Sequence, residues 1–194
     1  DIPDFMALAG TGYSFLKEYD KVIELSQKML RTAPKDSAVI VSAYSAMGDA
    51  YYQKNDTKNA FKAYDKVLKV SPNNIYVLNN YAYYLSLDPA ADLQKAEQMS
   101  LKAVQKEPDN ATFLDTYAWI LFKEKRYDDA KTIAERAIAS DSTLSSVVVE
   151  HCGDIFYMAG DTDRAMEMWQ KAAQEDEGNA ILRRKIELKQ YIEE

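Results

Sequence analysis

The sequence of 194 residues contains a single cysteine and a single histidine. A lone Cys152 excludes an internal disulfide and leaves the redox compartment open. His151 sits beside Cys152 and near Glu150 and Asp154. Adjacent helical side chains point about 100° apart, so His151 and Cys152 do not converge on one metal. Six glycines and five prolines are few, which argues against long structured loops. There is no Gly-rich phosphate loop, zinc motif or nucleophile elbow. Lys and Arg together number 24 against 31 Asp and Glu, for a net charge of −7. That balance argues against nucleic acid and anionic membrane surfaces as partners. The longest apolar run, residues 117–122, is far too short to span a bilayer. No stretch reads as a signal peptide, and a chain opening on Asp1 is expected to be a mature form or part of a longer protein. An enzyme is not expected, and neither is a cofactor or a metal.

What the sequence does have is a 47% apolar fraction set at helical spacing. Leu114, Tyr117, Ala118 and Leu121 fall on one helical face, and Ala130, Ala134 and Ala137 on one face of a second helix. Small residues there let two antiparallel helices approach closely, as a helical hairpin. The hairpin recurs. Gly48 and Gly153 lie 105 residues apart, three times 35. Ala60, Ala96, Ala130 and Ala165 follow one another at 36, 34 and 35 residues, while Pro34, Pro72 and Pro108 mark hairpin ends at 38 and 36. A fixed period in this range indicates stacked units, each too small to bury its own apolar face.

Within the period, Tyr44, Met47-Gly48, Tyr51, Ala60, Tyr64 and Pro72 resemble the tetratricopeptide repeat, and Cys152-Gly153, Phe156, Ala165 and Trp169 resemble it again. The resemblance implies an all-α fold, an α-solenoid with a right-handed superhelix. It would comprise a single domain of five hairpins, at about 3–36, 41–74, 75–110, 111–144 and 146–179, closed by a capping helix at about 180–193. Gly10 and Gly12 make the first helix a weak end, expected to pack on further repeats in a longer parent. Asp56 reads as an N-cap. The third hairpin has a turn two residues longer than the others, at 87–92, read as a tolerated surface insertion. Residues 147–149 favour a strand on propensity alone, but phase with the other repeats makes them helix. By the same phase Cys152 matches Met47, in the core. In the last helix Ile181, Leu182, Ile186, Leu188 and Ile192 form the apolar stripe. Arg183, Arg184, Lys185 and Lys189 occupy the other faces and are expected to be solvated.

In tetratricopeptide proteins the first helix of each hairpin also lines a concave groove. The resemblance carries this onto Ser42, Ser45, Asp49 and Tyr52; Tyr76, Asn79, Tyr83 and Ser86; Thr112, Asp115, Trp119 and Phe122; and Val147, Glu150, Asp154 and Tyr157. The face is aromatic and acidic, without Lys or Arg. It suits a protein or peptide ligand with apolar anchors and some positive charge, gripped chiefly by Asp49, Tyr52, Tyr76, Asn79, Tyr83, Asp115, Trp119, Phe122, Glu150, Asp154 and Tyr157. The clamp used on chaperone tails needs Lys and Arg here, and only an Asn is present, so that ligand is rejected. The alternative for the aromatic residues is packing between adjacent repeats. Repeats three to five also resemble arrays of bacterial, Bacteroidetes-like envelope lipoproteins. This implies an adaptor for a protease or assembly in the periplasm or at the outer membrane, otherwise a cytoplasmic scaffold. The competing expectation is a structural, self-associating segment of a larger complex.

Overall fold

Short polar side chains that can accept from unpaired amides precede most of the apolar-periodic stretches, and each starts a helix. Asp36 accepts from the amides of Ala38 and Val39, Asp56 from Asn59, Asp92 from Lys95, Asn110 from Thr112 and Phe113, and Asn179 from Leu182. The computed structural model describes residues 2–88, 90, 92–141, 143–176 and 178–193. They form eleven helices: α1 Ile2–Phe15, α2 Tyr19–Thr32, α3 Ser37–Gln53, α4 Thr57–Val70, α5 Ile75–Ser86, α6 Leu93–Lys106, α7 Ala111–Lys123, α8 Tyr127–Ser140, α9 Ser146–Met158, α10 Thr162–Glu175 and α11 Ala180–Leu188. Among the described residues there is no strand, and residues 147–149 are helical within α9. The expected all-α array of hairpins with a final helix is the observed fold.

Four of the hairpin turns share one stop signal. Lys17, Asn55, Lys125 and Gly160 all have positive φ, between 59° and 84°. In each case the next amide donates back to the helix, Asp56 to the Tyr51 carbonyl, Arg126 to Leu121 and Asp161 to Phe156. This is a left-handed C-terminal cap, which satisfies carbonyls that the ended helix leaves open. The lengthened turn at 87–92 includes Pro89 and Ala91, which lie outside the described residues.

Two compact units make up the chain, Asp1–Tyr81 and Ala82–Glu194. In the first, Val22, Ile23, Met47, Ala50 and Ala63 form one buried cluster, and Met6, Met29, Val39 and Ala43 another. Helix α1 contributes Met6 but leaves Phe5, Leu8 and Phe15 exposed. In the second unit the core runs from Ala118 and Leu121 through Cys152, Ile155 and Phe156 to Trp169 and Leu182.

Helix α11 departs from its expected polarity. Leu182 and Lys185 are its buried residues, and Leu188 is 52% exposed. The expectation that Lys185 faces water is therefore corrected: it is fully buried, its ammonium 2.8 Å from both a Glu150 and an Asp154 carboxylate oxygen. A buried cation is tolerated where carboxylates and hydrogen bonds replace its water. The helix stops at Leu188 because Lys189 turns left-handed, and residues 190–193 continue outside it.

Packing within hairpins depends on two glycines. A Cβ on Gly48 would stand 2.4 Å from the Tyr64 ring, and one on Gly153 would stand 2.4 Å from the Trp169 indole. Each aromatic ring lies over the bare backbone of the preceding helix. Gly153→Ala should therefore lower stability by about 1–3 kcal/mol through overpacking. Gly12→Ala, with nothing within 4 Å of its Cβ, should raise it by roughly 0.5–1 kcal/mol. Urea titrations of the two variants check both signs, and equal behaviour would remove the close approach as a constraint.

Candidate functional site

The second unit gathers its aromatic and titratable side chains on α7 and α9. Trp119 stacks on Phe122 three residues along its own helix, with centroids 4.8 Å apart. On its other side it stacks on His151 of α9 at 4.0 Å, with an 18° interplanar angle. The Tyr83 ring, on the part of α5 belonging to this unit, lies 6.2 Å from the imidazole. Tyr83, Trp119 and His151 bound a cavity of about 480 Å³ that also meets Val147, Tyr191 and Ile192. A neighbouring cavity of about 350 Å³ shares Leu87, Lys123 and Tyr191 with it and reaches Phe122 and Tyr127. Thus Tyr83, Trp119, Glu150 and Asp154, all expected on one face, do line one cavity.

The charges behind this wall are compensated within the chain. The Asp115 carboxylate sits 3.0 Å from Nδ1 of His151, both groups buried. Burial alone pulls the imidazole pKa down, but Asp115 outweighs it, helped by Asp154 and Glu150, and the value lies above the ordinary one. Glu150 accepts from Lys185 and from the Asn179 side-chain amide at 2.9 Å. Asp154 accepts from Lys185 and, at 2.8 Å, from the Trp169 indole N–H. Burial opposes the Lys185 charge, yet these two carboxylates hold its pKa above the ordinary value. The acidic character read along the helix is therefore met by Lys185 rather than open. Cys152 is buried in the core and burial pushes its thiol up to about 12, so it offers no thiolate to the His151–Asp115 pair. No cluster of three His, Cys, Asp or Glu is placed to hold a metal among the described residues.

The remaining expected residues are dispersed. Tyr157 is half-buried and stacks on Trp169 at 5.5 Å. In the first unit Asp49 accepts from the Tyr64 hydroxyl and from Asn80, and burial raises its pKa. Tyr52 is half-buried, Tyr76 is 61% exposed, and Asn79 is buried with its carbonyl oxygen unpaired among the described residues. Sequence reasoning missed Lys185, Asn179 and Tyr191. The available signal was the repeat phase. Lys185 follows Asp154 by the same interval that separates Asn80 from Asp49, and both donate to that carboxylate.

Two predictions come from this network. Because the folded His151 pKa is raised, its protonated form contributes stability that is complete below the ordinary imidazole value of 6.5 and lost as pH rises through the folded value. Urea midpoints should fall as pH rises above the ordinary imidazole value of 6.5 in the wild type and less in His151→Gln; superimposable profiles would exclude a charged His151. Lys185→Ala leaves two buried carboxylates unpaired and should cost about 3–5 kcal/mol. A loss near zero by chemical denaturation would mean that water replaces the ammonium.

Comparison with known proteins bears on the fold. Residues 41–74 match the tetratricopeptide repeat family model. The bifunctional subunit NrfFG of the formate-dependent nitrite reductase complex of Haemophilus influenzae is 27% identical over 122 residues, 62% of this chain, and the chain spans 31% of that protein's length. A thermophilic TPR protein of Thermus thermophilus superposes with a TM-score of 0.75 at 14% identity, over 96% of this chain and 98% of that one. The pilF protein of Pseudomonas aeruginosa superposes with a TM-score of 0.77 at 21% identity, over 93% and 79%. At such identities the structures speak for the fold alone. One tetratricopeptide repeat is thus matched at residues 41–74, and the fold of tetratricopeptide proteins is shared along nearly all the chain's length.

Proposed function

We propose that this protein is a non-catalytic scaffold that binds a peptide or partner protein through the aromatic cavity of its second unit. The tetratricopeptide fold supports protein–protein interaction in general, and proteins built on it are generally non-catalytic. The observation that carries the finer reading is the set of rings, Tyr83, Trp119 and His151, around one cavity of about 480 Å³. Aromatic walls supply much of the binding energy at protein interfaces. In this reading Tyr83 and Trp119 meet the ligand and Phe122 extends the surface. Asp115, Glu150 and Asp154 act behind it by fixing His151 and Lys185. Tyr52 and Tyr76 belong to the first unit and are not among the residues that line this cavity. An adaptor role in a bacterial envelope belongs to the same proposal and rests on the resemblance of the repeats.

A second reading, a repeat segment of a larger assembly, is favoured by the Haemophilus influenzae relative, which is a subunit of an enzyme complex. A concentration-dependent dimer in light scattering would support self-association.

Val147 tests the cavity without disturbing the core, since it is 52% exposed and lines the opening. Val147→Asp should change folding stability by less than about 0.5 kcal/mol. It should weaken capture of the cellular partner by about tenfold or more, equivalent to ~1.4 kcal/mol. Quantitative pull-down with both proteins checks this, and equal capture would move the site elsewhere.

A further inference from the structure

Tyr191 and Ile192 follow α11 and line the cavity of the second unit. The Tyr191 ring meets Phe122 edge-on, with centroids 5.6 Å apart and a 74° interplanar angle. The Lys185 ammonium stands 5.6 Å from the same ring. Tyr191 is a wall common to both cavities of this unit, while Ile192 belongs to the larger and Glu193 to the smaller. Tyr191 and Ile192 are only half-buried. The Tyr191 ring thus holds the segment against the helices, with Ile192 beside it at the cavity, without the burial of a core element.

We infer that residues 190–193 occupy the binding site in cis, and that its outside ligand is a peptide segment with an aromatic residue followed by an aliphatic one, which displaces Tyr191 from Phe122. This rests on the reading of the cavity as a protein-binding site and names both its ligand class and its regulation. The chemistry of the wall selects that class. Glu150 and Asp154 are already bound by Lys185, Asn179 and Trp169, so a cationic segment finds its carboxylates occupied. What remains is the Trp119 and Phe122 surface, where aromatic rings prefer edge-on or offset contact. The chain's own Tyr191-Ile192 pair illustrates the fit. The short tether to α11 gives this pair a local concentration on the order of millimolar, enough to keep a weak contact closed while a tighter ligand can open it.

The probe is a fluorescent synthetic peptide of residues 187–193, titrated into the intact wild type, Tyr191→Ala and Tyr191→Phe proteins. Tyr191→Ala empties the aromatic position and should bind the peptide at least tenfold more tightly than wild type. Tyr191→Phe keeps the ring and should behave as wild type, and a peptide with Ala at its Tyr191 position should bind none of the three. A Tyr191→Ala protein that loses its cooperative melt is replaced by Tyr191→Ser with Ile192→Ser, read in the same titration. Equal affinity for wild type and Tyr191→Ala would overturn occupancy in cis while leaving the cavity reading intact. Absence of binding to every protein would overturn the ligand class. The cavity reading itself falls only if Val147→Asp also leaves partner capture unchanged.

Discussion

The closeness of α9 to α10 is the constraint on which the second unit depends. Trp169 is fully buried because Gly153 offers bare backbone beneath its indole. Once there, its N–H needs an acceptor, and Asp154, the residue after the glycine, supplies it at 2.8 Å. A buried carboxylate that accepts one neutral hydrogen bond still carries an uncompensated charge, which is costly away from water. Lys185 removes that cost by pairing with Asp154 and Glu150 together. The sequence of needs therefore runs from a missing Cβ to a buried ammonium on the final helix.

The first unit uses the same device with a milder ending. Gly48 admits the Tyr64 ring, Asp49 accepts from the Tyr64 hydroxyl, and Asn80 donates to Asp49 from α5. Here the position one turn before the aspartate is Ser45, whereas in α9 it is Glu150. One carboxylate is met by an amide and two are met by a lysine. Helix α11 thus donates to α9 as α5 does to α3, from the place that the first helix of a following repeat would take.

Much of this was legible in the sequence, and the reason is periodicity. A period near 35 located the hairpins, the phase of Val147 to Val149 outweighed their strand propensity, and Asp56 was recognisable as a cap. Lys185 was not legible, because a helical wheel assigns a lysine to water unless the facing helix is known. Two carboxylates one turn apart on α9 reverse that assignment. The interval linking Asp49 to Asn80 and Asp154 to Lys185 is in the sequence, but it acquires meaning only when both donors are seen. Tyr191 was hidden for another reason. It lies past the left-handed turn at Lys189, where helical phase no longer says which way a side chain points.

Such a face differs from its composition. Counted along the helices it is acidic and aromatic, yet Asp115 meets His151, and Glu150 and Asp154 meet Lys185. Charge is thereby turned inward to fix ring positions. Trp119 is held between Phe122 and His151, and Asp115 holds the imidazole in turn through Nδ1. A ring held on both sides gives up little freedom when something packs against it, so ordering costs at the surface are already met in folding. The carboxylates that read in the sequence as a ligand's contacts are thus already bonded within the chain, Asp115 to His151, Glu150 to Lys185 and Asn179, and Asp154 to Lys185 and Trp169.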